Sequence, residues 1–210
     1  MASLVHRYAL AVSEEHYFTA KPASADERRR ISVELAGRSL SLEVASGIFS
    51  PDHVDLGTRV LRRTVPEPRG RVLDIGCGWG PISIAAALMS PDVSVVAIDV
   101  NERALDLARR NAAIAGVGDR VSVGLPSVVP ATETFDTIWS NPPIRIGKAA
   151  LHELLGEWLP RLSPGGEAWL VVQRNLGADS LATWLADQGW GAVDKVASAK
   201  GFRVLRLRAA

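Results

Sequence analysis

Four consecutive residues, Asn141-Pro142-Pro143-Ile144, combine hydrogen-bond acceptors with a rigid backbone. The side-chain oxygen of Asn141 and the carbonyl oxygen of Pro142 can accept the two hydrogens of an amino group. An amine on a nucleobase or an amide is a poor nucleophile because its lone pair is delocalised, and such acceptors orient it toward an electrophilic methyl group. The prolines fix the turn and add no donors. We interpret the segment as a candidate site for methylation of a planar amine; taken alone, it also fits a rigid loop that ends a strand.

A glycine-rich segment and a later aspartate indicate a nucleotide-like ligand. Gly76, Gly78 and Gly80 lie within one short stretch, and glycines there let a ligand approach the backbone. Asp99 follows Gly76 by 99 − 76 = 23 residues, close to the spacing at which a carboxylate binds a ribose diol. The dinucleotide fingerprint needs a glycine at the sixth position from Gly76, where the chain has Pro81. S-adenosylmethionine, which carries adenosine but no pyrophosphate, therefore fits better than a nicotinamide dinucleotide.

Each of these two signals also has a structural interpretation. The glycines alone fit a tight strand-to-helix turn, and Asp99 alone fits a helix N-cap because a helix is predicted from Asn101 onward. The order of the glycine segment, Asp99 and the Asn141 segment, each after a predicted strand, favours ligand binding over either interpretation.

The elements that must position these residues alternate along the chain. Apolar runs rich in valine and isoleucine predict strands at residues 71–75, 93–98, 121–124, 135–139, 166–172 and 202–207. Helical patterns lie between them at residues 80–89, 101–115, 148–159 and 178–188. This alternation predicts a doubly wound α/β domain. The run 202–207 alternates with arginine, which is typical of an edge-proximal or antiparallel strand.

The first third of the chain has a different pattern. Ile31, Val33 and Leu35 alternate with polar residues, the chain turns at residues 36–38, and a second alternating run follows at residues 40–44, which predicts a β-hairpin. A short helix is predicted near residues 55–64. The Pro/Gly-rich stretch 65–70 reads as a connector, so we divide the chain into an N-terminal extension, 1–65, and a ligand-binding domain, 66–210.

The ordered motifs resemble those of class I S-adenosylmethionine-dependent methyltransferases. Upstream, residues 46–58 are similar to the segment that precedes the cofactor domain in the small-domain methyltransferase family, which includes the guanine-N2 methyltransferases of small-subunit ribosomal RNA. His16-Tyr17-Phe18 also fits this family, so the resemblance covers the chain from about residue 16 onward.

The resemblance implies a Rossmann-like seven-stranded sheet with an antiparallel last strand, and a cofactor site for S-adenosyl-L-methionine. It assigns the target amine to residues 141–144, with Asn141 also bordering the cofactor. Asp74 is expected to orient the glycine loop or to meet the methionine amino group. The remaining residues implied at the cofactor or substrate pocket are Gly76, Cys77, Gly78, Gly80, Asp99, Val100, Phe49, Gly57 and Thr58.

Three departures from the family pattern bear on substrate recognition. Family members often carry an acidic residue after the third strand of the sheet, near adenine, whereas residues 123–126 contain none. The fourth motif position is often an aromatic residue that stacks on a flipped base, but here it is Ile144, so stacking is expected from Tyr17, Phe18 or Trp79. Many ribosomal RNA members have a second, duplicated domain, for which this chain has no room.

The charge balance excludes a general attraction for polyanions. The 210 residues contain 24 Lys+Arg and 23 Asp+Glu, a formal net charge of +1, so any RNA contact must be a local patch. Arg145 and Lys148 are the better phosphate candidates because they follow the Asn141 segment. For the other basic groups a solvated, charged face is favoured over RNA contact: Arg28, Arg29, Arg30, Lys195, Lys200, Arg203, Arg206 and Arg208.

Composition narrows the class further. With 47% hydrophobic and 22% charged residues, the chain is of ordinary globular type. The single cysteine, Cys77, excludes an intramolecular disulfide and is interpreted as a packing residue. The four histidines show no metal-ligand spacing, and methyl transfer from a sulfonium needs no metal. Because we see neither a signal peptide nor an apolar run of about 18 residues, we expect a cytoplasmic protein.

Together these features predict an S-adenosylmethionine-dependent N-methyltransferase acting on an exocyclic amino group, with guanine N2 of ribosomal RNA favoured as the target. One alternative is methylation of a small molecule or a protein amide. Another is a non-catalytic module that binds the cofactor or RNA, because Ile144 replaces an aromatic residue.

Overall fold

The computed structural model describes residues 27–210, so His16, Tyr17 and Phe18 lie outside the described residues. The first elements of the described part are the strands β1 (Arg29–Leu35) and β2 (Arg38–Val44), which form a hairpin. Ile31 pairs with Leu42 and Val33 with Leu40, so the apolar side chains of both strands share one face. The predicted hairpin is confirmed. Helix α1 (Leu56–Thr64) follows, with Asp55 as its N-cap.

Seven strands form one sheet, and helices lie between them. The strands are β3 (Arg71–Ile75), β4 (Ser94–Ile98), β5 (Val121–Gly124), β6 (Phe135–Ser140), β7 (Leu162–Gln173), β8 (Gly191–Ala199) and β9 (Phe202–Ala209). The helices are α2 (Pro81–Met89), α3 (Glu102–Ile114), α4 (Lys148–Trp158) and α5 (Ala178–Asp187). Short 3₁₀ turns occur at Pro126–Val128, Ile144–Ile146, Leu159–Arg161 and Arg174–Leu176.

The strand order is β5-β4-β3-β6-β7-β9-β8. Strands β3 to β7 are parallel to one another, and β9 is antiparallel to both β7 and β8. This is the Rossmann-like seven-stranded sheet with an antiparallel last strand that the family resemblance implied. From β3 the chain first adds β4 and β5 on one side of the sheet and then β6 and β7 on the other side, so the strand order reverses between β3 and β6. Open α/β sheets bind ligands at the carboxyl ends of the strands beside such a switch point.

Two strand predictions were incomplete. Strand β8 was not predicted, because residues 191–199 lie at the sheet edge, are mostly exposed and carry Asp194 and Lys195 in place of an apolar run. Strand β7 begins at Leu162, four residues before the predicted start, because Pro164 and Gly165 read as a turn. The register between β6 and β7 shifts at that point.

Apolar side chains pack on both faces of the sheet. On one face, residues of the hairpin, α1, α2 and α3 pack against strand residues such as Val72 and Trp139. On the other, α4 and α5 cover strand residues such as Leu73 and Leu170. Residues 27–65 thus pack directly on the sheet, while the status of the N-terminal extension as a separate unit stays a prediction. Within residues 27–210, no helix is both long and apolar enough to cross a membrane.

Candidate active site

The predicted motifs meet at the edge of the sheet formed by the carboxyl ends of its parallel strands. Gly76 follows β3, Asp99 follows β4 and Asn141 follows β6, and β3 lies between β4 and β6. A recess at this edge is lined by Phe49, Thr58, Gly76, Cys77, Gly78, Trp79, Pro81, Ile82 and Asn141. Six of the residues predicted at the pocket therefore line one recess, and α1 contributes to it through Thr58.

The glycine loop between β3 and α2 has the conformation that glycine permits. Gly76, Gly78 and Gly80 have φ angles of +73°, +54° and +95°. The backbone N–H groups of Gly76 and Cys77 both donate to the carbonyl of Ile98 at 2.9 Å, which ties the loop to β4. A Cβ added at Gly78 would meet no heavy atom within 4 Å. The protein thus leaves open space against this backbone, as the close approach of a bound S-adenosylmethionine requires.

Asp99, predicted to bind the ribose, holds the glycine loop. Its Oδ2 accepts from the backbone N–H of Gly78 at 2.9 Å, and its Oδ1 accepts from that of Asn101 at 2.9 Å. Burial raises the pKa of this carboxyl, while the backbone hydrogen bonds act in the opposite direction. The backbone N–H of Val100 also acts on this carboxylate, and a remaining lone pair could accept from a ribose hydroxyl, a role that stays a prediction. The N-cap of α3 is Asn101, whose side chain accepts from Ala104 N, so Asp99 is not the cap.

Asp74 lies beneath the loop and is fully buried. Its Oδ2 accepts hydrogen bonds from the Ser83 hydroxyl and, at 3.0 Å, from the Ser83 backbone N–H, which joins β3 to the first turn of α2. Its Oδ1 has no partner. Burial, with the nearby Asp99 charge, raises the pKa of Asp74 to about 7, against the lowering effect of the Ser83 bonds. This geometry supports a role in orienting the loop; a contact with the methionine amino group stays a prediction.

Asn141 has its amide nitrogen occupied and its amide oxygen available. The Nδ2 donates to Asp55 Oδ2 at 2.8 Å and to Thr58 Oγ1 at 3.2 Å. The Oδ1 accepts no hydrogen bond from residues 27–210, yet it is not a buried unpartnered atom, so solvent or a ligand can reach it. The Pro142 carbonyl accepts from Ile144 N at 2.8 Å and keeps a second lone pair. Both oxygens therefore keep acceptor capacity, and their contact with an amine stays a prediction.

The other predicted residues have more varied positions. Pro143 approaches the glycine loop, since its Cδ lies 3.9 Å from a Cβ built at Gly76. Ile144 begins the 3₁₀ turn and packs against the core cluster under α4. Val100 is half-buried directly after Asp99. Cys77 is 3% exposed, and burial raises the pKa of its thiol well above the ordinary value, which agrees with packing rather than nucleophilic chemistry.

The aromatic side chains at the recess differ in exposure. Trp79 is 1% exposed and its Nε1 donates to the Ser50 carbonyl at 3.2 Å, so its ring, contrary to the sequence-based expectation, is not open to a stacked base. Phe49 is 37% exposed and lines the same recess. Tyr17 and Phe18, the other predicted stacking residues, lie outside the described part of the chain.

Sequence reasoning missed Asn111, a buried residue of α3. Its Oδ1 accepts from Glu43 N at 2.7 Å, and its Nδ2 donates to the carbonyls of Glu43 at 2.8 Å and Trp79 at 3.0 Å. One side chain thus joins α3, the hairpin and the glycine loop. An asparagine within the apolar stripe that contains Leu107, Ala108 and Ala112 was the available signal, because a polar residue on a buried helix face needs partners.

The basic residues divide into paired and unpaired groups. Arg28, Arg29 and Arg30 form ion pairs with Asp106, Asp52 and Glu43. Lys195 and Arg203 pair with Asp179, Arg206 pairs with Asp194, and Arg208 pairs with Glu167. These pairs agree with the predicted charged surface for all of the late basic residues except Lys200.

Four exposed cations lie at the edge of the sheet that holds the recess. Arg145 and Lys148 follow the Asn141 loop, Arg174 follows β7, and Lys200 lies in the β8–β9 turn. The Arg174 N–H donates to the Gly201 carbonyl at 2.8 Å, which brings the last two together. Within residues 27–210 none of the four forms an ion pair. We call Arg145, Lys148, Arg174 and Lys200 the cationic rim.

The strand order, the glycine loop and the carboxylate after β4 define an S-adenosylmethionine-dependent methyltransferase with a Rossmann-like fold. The model of the methyltransferase small domain matches residues 39–206, so the chain belongs to this family. Among residues 27–210, no group of three side chains is placed to hold a metal ion.

Relatives include proteins of similar length and longer ones. The uncharacterized protein YbxB of Bacillus subtilis strain 168 is 35% identical over 199 residues, which cover 92% of this chain and 98% of that protein. Ribosomal RNA small subunit methyltransferase C of Salmonella arizonae is 33% identical over 173 residues, 80% of this chain. The chain spans about half the length of that relative, 49%.

One solved structure shares the fold over nearly the whole chain. It is the Thermus thermophilus 16S rRNA N2 G1207 methyltransferase in complex with AdoMet and guanosine. The TM-score is 0.75 at 23% sequence identity, and the match covers 91% of this chain and 53% of that chain. At 23% sequence identity this similarity establishes a shared fold.

Proposed function

We propose that this methyltransferase acts on an exocyclic amino group, and that the group is guanine N2 in ribosomal RNA. The observation that carries the proposal is the Asn141 amide. Its nitrogen is bonded to Asp55 and Thr58, so its oxygen is left as an acceptor at the recess, and the carbonyl of the next residue, Pro142, keeps a second lone pair. Two acceptors on consecutive residues would match the two hydrogens of a planar amine.

The chain's contribution to the reaction is positioning. S-adenosylmethionine, when bound, supplies a methyl group on a sulfonium sulfur; the glycine loop and Asp99 are the residues that would hold it. Asn141 Oδ1 and Pro142 O orient the amine nitrogen for in-line attack on the methyl carbon, so that an N–C bond forms as the S–C bond breaks. The surplus proton on nitrogen leaves to solvent or to a backbone acceptor.

The cationic rim supports RNA over a small uncharged substrate. Arg145, Lys148, Arg174 and Lys200 lack ion-pair partners within the described chain and lie at the sheet edge beside Asn141. Unpaired cations at this edge suit RNA phosphates, which position a substrate without reading its sequence. The names of the Salmonella and Thermus relatives, both ribosomal RNA methyltransferases, support the same substrate class. A ribosomal substrate would place the protein in the cytoplasm.

The exposure of the aromatic side chains bears on how a base is held. Ile144 has no ring, and Trp79 is 1% exposed, whereas Phe49 lines the recess and is 37% exposed. A base extruded into the recess would therefore meet Phe49 among the described aromatic residues.

The test uses the purified protein, methyl-labelled S-adenosylmethionine and small ribosomal subunits from cells that lack this protein. The RNA is digested and the labelled nucleosides are identified. We expect label in N2-methylguanosine, and for Asn141→Ala a loss of about 10²- to 10³-fold in the transfer rate, as for removal of a transition-state hydrogen bond. The control is Thr183→Ala, an exposed position on α5, which is expected to keep wild-type activity.

Three results would contradict the proposal. Label in another nucleoside would exclude guanine N2, and label only in a protein or a metabolite pool would favour the second class of substrate. Tight cofactor binding without transfer to any of these pools would favour a binding module.

A further inference from the structure

Asp55 contacts the residue that we propose holds the amine, although it belongs to the segment before the sheet. Its Oδ2 accepts from the backbone N–H groups of Gly57 at 2.7 Å and Thr58 at 3.2 Å, and from Asn141 Nδ2 at 2.8 Å. One carboxylate oxygen therefore caps α1 and binds the Asn141 amide at the same time. Capping alone needs only one short acceptor, and serine or asparagine serves as well.

The carboxylate determines which end of the Asn141 amide meets the substrate. An ionised carboxylate only accepts hydrogen bonds, so the amide must present its NH₂ group to Asp55. A rotation of about 180° would set Oδ1 against the carboxylate oxygen and leave both without a hydrogen. Thr58 Oγ1 accepts from the same NH₂ group at 3.2 Å. Both contacts hold Nδ2 on the side of α1 and leave Oδ1 for the amine.

The packing around α1 keeps this arrangement in place. A Cβ at Gly57 would lie 2.8 Å from Phe202 Cε1 and 2.9 Å from Asp55 Oδ2. Only a residue without a side chain fits between the carboxylate and the ring. The support of Asn141 thereby explains the spacing of Asp55, Gly57 and Thr58, which supply a carboxylate, the space it needs and a hydroxyl.

We infer that Asp55 is a positioning residue, which orients the Asn141 amide so that Oδ1 faces the substrate amine. Its negative charge also polarises the amide through the shared hydrogen bond, which strengthens Oδ1 as an acceptor. The inference rests on the proposed function for its link to the amine. The N-terminal segment then contributes to the reaction itself as well as to the core.

The decisive variant is Asp55→Ser. Serine is a good N-cap, so α1 stays capped, but its side chain is too short to cap the helix and reach Asn141 together. We expect kcat to fall about 10- to 100-fold, the range for a misplaced catalytic contact, with the KM for the cofactor unchanged. Asp55→Asn keeps an acceptor oxygen at the same reach but loses the charge. We expect its kcat to lie within about fivefold of wild type, a smaller loss than in Asp55→Ser.

A double-mutant cycle separates positioning from a structural effect. If Asp55 acts through Asn141, then Asp55→Ser lowers kcat in the wild-type background but has no further effect in Asn141→Ala. The control is Val60→Ala, a buried substitution that loosens α1 without touching Asn141. It is expected to lower the melting temperature and to leave kcat unchanged below the transition. Equal losses for Asp55→Ser in both backgrounds would overturn the inference.

A second measurement does not depend on the substrate. The side-chain ¹⁵N–¹H₂ signals of Asn141, assigned by their loss in Asn141→Ala, should exchange slowly with water in the wild type. In Asp55→Ser they should exchange faster, while the signals of the α1 backbone stay in place. Wild-type exchange in the variant would contradict the inference. An enzyme that methylates no RNA would refute the proposed function, and these signals would still decide the role of Asp55.

Discussion

Two aspartates beside the glycine loop show how position alone separates the roles of identical side chains. Asp99 is half-buried and uses both oxygens to accept backbone N–H groups. Asp74 is fully buried, with one oxygen bonded to Ser83 and the other without a partner. The first carboxylate is held by backbone N–H groups, whereas the second is a carboxyl whose charge the protein disfavours.

The raised pKa of Asp74 predicts a pH-dependent stability. Folding raises its pKa from the ordinary 3.8 to about 7, so the folded state binds more protons than the unfolded state between these values. The stability that the raised pKa of Asp74 contributes is fully present below pH 3.8 and is lost as the pH rises through about 7. Across this window the free energy of unfolding should fall by at most about 4 kcal/mol through this group.

Asp74→Asn cannot titrate and should remove that loss. Urea denaturation of both proteins without cofactor, at pH 5 and pH 8, measures the difference. The wild type should lose more stability than the variant on going to pH 8. An equal loss in the two proteins would show that Asp74 keeps an ordinary pKa in the folded state.

Among the connecting elements, the glycine loop allows a matched comparison. Gly78 and Gly116 both have positive φ angles, +54° and +73°, and a Cβ at either position would meet nothing within 4 Å. Alanine at either position should therefore lower the free energy of unfolding by about 1 kcal/mol through backbone strain. At Gly78 the added methyl group would also enter the space expected for the cofactor.

We expect Gly78→Ala to weaken S-adenosylmethionine binding more than about tenfold, which corresponds to 1.4 kcal/mol. Gly116→Ala, beyond the end of α3, should bind as the wild type does. Calorimetric titration measures both affinities, and melting temperatures establish that the strain is alike. Equal affinities in the two variants would place the cofactor elsewhere.

The hairpin is attached to the glycine loop through Asn111. Asn111→Ala would leave the N–H of the half-buried Glu43 and the carbonyl of Trp79 without this partner. We expect a loss of about 2–4 kcal/mol in the free energy of unfolding, from unsatisfied polar groups and a small cavity. Asn175→Ala, at an exposed turn, is the control and should change it by less than about 0.5 kcal/mol. A loss no larger than the control's would mean that water replaces the Asn111 amide.

The ease of prediction differed between central and peripheral elements for a physical reason. Strands β3, β4 and β6 are largely buried, so their apolar runs stand out in the sequence. Strand β8 has one neighbour and mostly exposed side chains, so its burial pattern leaves little trace. The motifs after β3, β4 and β6 were predictable because strand ends at a switch point are where ligands bind.

The contacts that join distant segments could not be predicted in this way. Asp55 and Asn141 are 86 positions apart, and Asn111 and Glu43 are 68 apart. Local patterns report on neighbours along the chain, whereas these hydrogen bonds depend on how the hairpin and α1 pack on the sheet. Likewise, the pairing of Arg203 and Lys195 with Asp179 depends on the β8–β9 hairpin lying beside α5.

The formal charge of the whole chain is nearly balanced, so an attraction for RNA would have to come from a local group of cations. The net charge is +1, and the basic residues of β9 are paired with carboxylates. The cationic rim has no such partners within residues 27–210. Each phosphate contact releases counterions, so binding through the rim should weaken steeply with salt.

The test replaces all four rim residues by glutamine. For an RNA fragment of the small subunit, the slope of log K against log salt concentration should become shallower by about 0.7–0.9 per contact removed. The control carries the same change in charge at the paired residues Arg29, Lys195, Arg206 and Arg208, and should keep the wild-type slope. The same slope for both quadruple variants would mean that RNA approaches from another face.

The position of β9 has a consequence for synthesis of the protein. It follows β8 in the chain but lies between β7 and β8 in the sheet, where Val204, Leu205 and Leu207 are buried. While residues 202–209 are still untranslated, β8 has no strand to pair with and the long edge of β7 is open. The growing chain therefore carries one unpaired strand, β8, and one open edge, on β7, until the end of this segment emerges, which is when an aggregation-prone intermediate is most exposed. A ribosome that stalls just before this segment would leave a chain that contains the Asn141 loop but whose sheet cannot be completed.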